Sequence, residues 1–155
     1  MATSRAGAAI DALLAILKAA PGLSDAAVID GPTTTNYTQR RRLYIGWSPS
    51  AEQAVSIEQD FNAAGARTRN ENFAITCYAE VRAGDTDMAL RRTAVFETVA
   101  EVEDALRATE AAPDAPTLGG VVLWAHLTAG NFTQQQTENG ALAGLEFTVS
   151  CRARI

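Results

Sequence analysis

Phe73-Ala74-Ile75-Thr76-Cys77-Tyr78-Ala79-Glu80-Val81-Arg82 is the stretch on which the fold turns. Phe73, Ile75, Cys77, Ala79 and Val81 share one face while Thr76, Glu80 and Arg82 share the other, the period of two of a half-buried antiparallel strand. Just upstream, Val55, Ile57, Gln59 and Phe61 alternate with polar residues, and Asn62 to Asn72 supplies turn and polar residues around Gly65, so 55–82 reads as a long hairpin. Downstream, Gly84-Asp85-Thr86-Asp87 offers N-caps to a helix expected over about 86–110, in which Met88, Val95, Val99, Val102 and Leu106 recur every three or four residues. Pro113 and Pro116 lie beyond it.

Outside this centre the patterns are simpler. Ile10, Leu13, Leu14 and Leu17 recur at i, i+3, i+4 and i+7, which predicts an amphipathic helix over about 4–20, stopped by Pro21-Gly22. Ala26 to Asp30 is a short apolar run ended by Gly31-Pro32, and Thr33 to Gln39 has neither period and reads as an exposed loop. Leu43, Ile45 and Trp47 alternate into a strand closed by Ser48-Pro49. Gly119-Gly120 introduces an expected strand from Val121 to Leu127, and Leu145, Phe147, Val149 and Cys151 mark a terminal one. The polar segment Thr128 to Gly144 between them either lengthens both strands or forms a functional loop. Helix, strands, helix, strands predicts one α+β domain, 1–155, with two helices against a mainly antiparallel sheet.

Composition narrows the function classes. The chain has 155 residues, 47% hydrophobic and 20% charged, enough for one self-sufficient core. A net charge of −5 argues against gripping nucleic-acid phosphates. The acidity is local: residues 93–116 hold Glu97, Glu101, Glu103, Asp104, Glu110 and Asp114 against Arg107 alone, which equals the charge of the whole chain. No run is long and apolar enough for a membrane span, and Asp11 and Lys18 interrupt the first apolar segment, which lacks a signal-peptide layout. Cys77 and Cys151 fall in strand-like runs and read as buried free thiols.

The search for chemistry finds no phosphate loop, dinucleotide fingerprint, zinc motif or nucleophile elbow. His126 has no acid–base or metal partner nearby in sequence, and Asp85-Thr86-Asp87 sits where a helix needs its cap. The chain is expected to be no enzyme and to carry no cofactor and no metal. Trp47 and Trp124 read as core or interface anchors. The arginines Arg40, Arg41 and Arg42, then Arg67 and Arg69 near the hairpin tip, then Arg152 and Arg154 on the terminal strand, read as interface candidates. So do Tyr37 and Gln134, Gln135 and Gln136 in the polar excursions, and Glu101, Glu103 and Asp104 on the acidic helix.

Several short motifs resemble a known family. Val55-Ser56-Ile57-Glu58-Gln59-Asp60-Phe61, Gly65-Ala66-Arg67, Phe73-Ala74-Ile75-Thr76-Cys77, Gly84-Asp85-Thr86-Asp87-Met88, Thr117-Leu118-Gly119-Gly120-Val121 and the ending Phe147-Thr148-Val149-Ser150-Cys151-Arg152-Ala153-Arg154-Ile155 look like the tail terminator proteins of long-tailed, siphovirus-like bacteriophages, in particular those of actinobacterial phages. The resemblance covers the chain from about Ala26 onward. It implies a small α+β subunit of a hexameric ring that caps the tail tube, stops its polymerisation and presents the head-joining surface within the virion. Implied partners are further copies of the chain, the tail tube protein, a head–tail connector or neck protein and the tape measure protein, with DNA passing through the lumen without specific binding and no membrane involved. A domain of this size has a radius of gyration of only ~15 Å, so several copies are needed to encircle DNA. On this reading the sheet edge and the 55–72 hairpin face neighbours, while 33–42 and 128–144 face the tube and the connector. Another ring-forming neck or tail-completion protein, or a small ligand-binding α+β domain, are the alternatives.

Overall fold

β4 (Arg69–Arg82) and β6 (Gly140–Arg154) run antiparallel through the middle of a six-stranded sheet, in register from Asn70 opposite Arg154 to Arg82 opposite Leu142. The structure, a computed structural model, describes residues 2–65 and 67–155, so Ala66 of the Gly65–Arg67 motif lies outside the described residues. The far edge of β4 is shared end to end by two strands: β2 (Arg41–Ile45) pairs with Cys77–Val81, and β3 (Val55–Phe61) pairs with Arg69–Ile75. β1 (Ala26–Asp30) lies parallel beside β2, and β5 (Trp124–Thr137) lies antiparallel beyond β6.

Two helices, α1 (Ala6–Ala19) and α2 (Met88–Ala105), cover one face of this sheet. The alternation seen in the sequence places Phe73, Ile75, Cys77, Ala79 and Val81 toward them, beside Leu145, Phe147, Val149 and Cys151 of β6. Leu13 and Leu17 of α1 and Val95 and Val102 of α2 close the same core and have no exposed surface. Burial of each such side chain is worth about 1.5–3 kcal/mol. The opposite face is mostly open, with one small aromatic cluster in which Tyr44, Trp47 and Tyr78 pack with ring centroids 4.9–6.1 Å apart. The α+β architecture with a mostly antiparallel sheet is therefore as expected.

The boundaries differ from expectation in two places. α2 stops at Ala105, not near residue 110, and the Leu106 N–H bonds both Val102 O and Glu103 O as the last turn tightens. No basic residue sits in that turn, and Glu101, Glu103 and Asp104 oppose the helix dipole, so the chain leaves the helix well before Pro113. Gly119-Gly120 does not open a strand: Leu118, Gly119 and Gly120 all have positive φ, a left-handed turn incompatible with strand geometry, and β5 begins only at Trp124. For 128–144, where the sequence allowed either lengthened strands or a functional loop, the structure has lengthened strands. β5 and β6 continue to a two-residue turn at Glu138-Asn139, with Thr137 opposite Gly140, so the Gln-rich segment is a strand.

Candidate functional site

Of the three consecutive arginines, two are committed within the chain. Arg41 projects to the helix side of β2, where its Nε donates to Thr98 Oγ1 at 2.9 Å and its Nη1 to Asp25 Oδ1 at 2.5 Å and Gly22 O at 3.3 Å. Arg42 ties down the preceding loop by donating to Gln39 O and Tyr37 O, and Tyr37 itself is half-buried against the aromatic cluster. Arg40 is exposed and, with Arg42, Arg82, Thr137 and Asn139, lines an open cleft of about 320 Å³ at one end of the sheet. Arg82 in that cleft pairs with the buried Glu80.

The other arginines occupy one region. Arg152 and Arg154 stand exposed on the open face of β6, opposite Asn72 and Asn70 of β4, which in turn face Glu58 and Asp60 of β3. Arg69 donates to Gln59 Oε1 at 3.1 Å, and Arg67 is exposed in the preceding turn. Trp124 lies across from Arg152 and packs at a tilt of 54° against the exposed His126, with centroids 4.6 Å apart. His126 is thus a surface ring beside an aromatic one. Trp47 is an anchor of the aromatic cluster.

The glutamines lie along β5, the outermost strand: Gln134 accepts from Arg92, Gln136 donates to Thr86 O, and Gln135 is exposed. Glu103 and Asp104 are exposed at the far end of α2, about 22–24 Å from its start, and only loosely paired with Arg107 at 3.6 and 3.5 Å. Glu101 instead folds its carboxyl over Gly22, where a Cβ would collide with it. At the other end, Asp87 caps α2 by accepting from Leu90 N, while Asp85 accepts from Arg91 at 2.8 Å and from Asp87 N. The Arg91 hydrogen bond holds the Asp85 carboxyl below its usual range. The aspartate pair serves the helix N-terminus.

The candidate residues therefore gather on sheet edges, the open sheet face and the two ends of α2, not around one centre. Cys77 and Cys151 are free and buried, and burial pushes both thiols up to about 12, which leaves them inert as nucleophiles at neutral pH. Among the described residues no group of three or more His, Cys, Asp or Glu side chains is placed to hold a metal ion, and no helix is long and apolar enough to cross a membrane. What the geometry offers is surface: β3 and β5 are outer strands at opposite sides of the sheet. Every residue of β3 but the half-buried Val55 is exposed, and β5 is exposed along most of its length.

Sequence patterning missed two features here. Ile57 and Phe61 look like core residues of an alternating strand yet are 46% and 68% exposed, because α1 does not extend over β3. Phe96 points off α2 onto Phe132 of β5, ring centroids 5.1 Å apart, and remains 46% exposed. A helical wheel shows Phe96 off the core stripe, but only the fold places it beside a sheet edge. No protein-family model matches this chain, and no curated protein does either.

Proposed function

We propose that this chain is a structural subunit of a homo-oligomeric ring that caps a bacteriophage tail tube, ends its polymerisation and offers the surface to which the head connector binds. The observation that carries the reading is the two long outer strands at opposite sides of the sheet, besides the five-residue β1. A long unpaired edge is a standing invitation to strand pairing, and monomeric proteins shorten, charge or cover it. Here β3 with 7 residues and β5 with 14 run uncovered on opposite sides of one sheet. Because the two edges differ, contact between them is heterologous, and repeated contacts of that kind close a ring when the rotation allows. The resemblance of the 55–61, 84–88 and 147–155 motifs to tail terminators supplies the identity of the tube.

On this reading the partners are further copies of the chain, the tail tube protein, a connector or neck protein and the tape measure protein, and the place of action is the head-proximal end of the virion tail. The exposed carboxylates Glu103 and Asp104, repeated around a ring, would repel passing DNA and leave it unbound. Purified chain mixed with polymerising tail tube protein is expected to form rings at tube ends and to limit tube length. Tubes of unchanged length and a chain that never leaves the monomer would overturn the proposal.

A further inference from the structure

We infer that the ring contact, on the reading just given, joins β3 of one copy to the outer edge of β5 in the next, with Ile57 and Phe61 packing onto the neighbour's Phe96–Phe132 pair. Register decides the faces. Ile57 pairs with Phe73 in β4, a buried core residue on the helix side, so Ile57, and Phe61 two pleats further on, project to the helix side of the sheet. Phe132 pairs with Leu145, another core residue, and α2 carries Phe96 on that same side. The β3 edge thus bears two exposed apolar side chains and the β5 edge the exposed Phe96 beside the half-buried Phe132, all on one side of one sheet and at opposite edges. An intramolecular meeting is impossible, whereas a second copy placed head-to-tail brings them together while the backbone edges pair.

The polar faces agree. Glu58 and Asp60 project to the open side of β3, and the open side of β5 carries Thr133 and Gln135, so carboxylate acceptors meet hydroxyl and amide donors. β5 is twice as long as β3, and beyond the irregularity between Ala129 and Phe132 its regular run Phe132–Thr137 offers six consecutive residues to that pairing. Ile57 and Phe61 lie about 13 Å apart along the strand, a span that brackets a tilted pair of phenyl rings and their flanks. A partner with no strand edge would cover the rings but leave the backbone unpaired.

The test uses two single substitutions and their mixture. Phe61→Asp and Phe96→Asp alter exposed side chains, so each variant is expected to keep the wild-type circular dichroism and a melting temperature within a few degrees. Each alone should lower the apparent affinity of self-assembly at least tenfold in sedimentation velocity, and Ile57→Asp should repeat the first result. Mixed one to one, the two variants retain one intact half each on different molecules. They should form 1:1 heterodimers by native mass spectrometry and stop there. Wild-type assembly that survives both substitutions would overturn this contact while leaving the ring reading standing. Loss of assembly in only one of the two variants would overturn it too, since a two-fold β3–β3 contact needs Phe61 alone and a two-fold β5–β5 contact Phe96 alone, and so would loss in both with no heterodimer in the mixture. A wild-type chain that stays monomeric beside tail tube protein would remove the ring reading itself.

Discussion

Glu71, with no exposed surface, accepts the backbone N–H of Arg5 at 2.8 Å, joining the middle strand of the sheet to the start of α1 across 66 positions of sequence. Arg5 is the N-cap residue and its own side chain makes no cap bond, while Ser4 Oγ accepts from Ala6 N at 3.0 Å. The second carboxyl oxygen of Glu71 accepts from Gln59 Nε2, whose amide also donates to Thr3 O. One acidic group therefore closes the helix end that propensity alone leaves open, and the N-terminal end of the helix dipole favours it.

Glu71→Gln keeps the shape but turns one acceptor into a donor facing the Gln59 amide. It should lower unfolding free energy by about 1–3 kcal/mol in urea titration, and Glu71→Ala should cost more because it also leaves a cavity. A change within a few tenths of a kcal/mol would show that water replaces the carboxyl without loss.

Gly144 of β6 lies under the Tyr78 ring, and a Cβ there would fall inside the phenol. Gly144→Ala should therefore destabilise by about 1–3 kcal/mol through overpacking. Tyr78→Phe in the same chain should recover part of that loss, because the hydroxyl is the nearest atom. Additive effects in this double-mutant cycle would mean that the ring moves aside freely.

Alkali should weaken the fold through buried acids. Burial raises the Cys77 and Cys151 thiols from 9.0 to about 12, and burial followed by the nearby Glu80 charge raises the Tyr78 phenol from 10.0 to about 12. Between those limits the unfolded chain has lost protons that the native state still holds, so stability present below pH 9 is lost as pH rises toward 12. Melting temperature should fall steadily from pH 9 to 11, and a Cys77→Ala/Cys151→Ala chain should start lower but fall less steeply. A thiol reagent at pH 8 should label neither cysteine until the protein unfolds.

Arg41 binds α2, the Pro21–Leu23 turn and the residue before β1 at once, through Thr98, Gly22 and Asp25. Arg41→Met retains most of the stem and removes these bonds, and should cost about 2–3 kcal/mol by thermal or urea unfolding. The neighbouring Arg40→Met, at an exposed position, should stay within about 0.5 kcal/mol of the wild type. Equal effects at the two positions would contradict this division of labour.

Those neighbouring arginines also show where local reading ends. Side-chain periodicity is a property of a few consecutive residues, so Phe73 to Val81 and Leu145 to Cys151 announce their strands and their buried faces, and Ile10 to Leu17 its helix. Gly84 to Asp87 is recognisable as the source of a cap for the same reason, since the partner Leu90 of Asp87 is three residues away. Thr133 to Thr137 carries no such mark. It is a strand because β6 supplies its hydrogen bonds, and a polar outer strand shows no period for a pattern to detect.

The amino-acid sequence by itself determined the class of the protein, the inner face of its sheet, the cap of α2 and the two buried thiols, because each depends on neighbours a few residues apart. Tertiary structure decided which strands became edges, that Glu71 serves a helix 66 positions away, that Arg41 is internal while Arg40 is exposed, and that Ile57 and Phe61 face water. Exposure of an alternating strand depends on whether some distant helix reaches over it, and at β3 it is Thr3, ahead of α1, whose carbonyl accepts from Gln59.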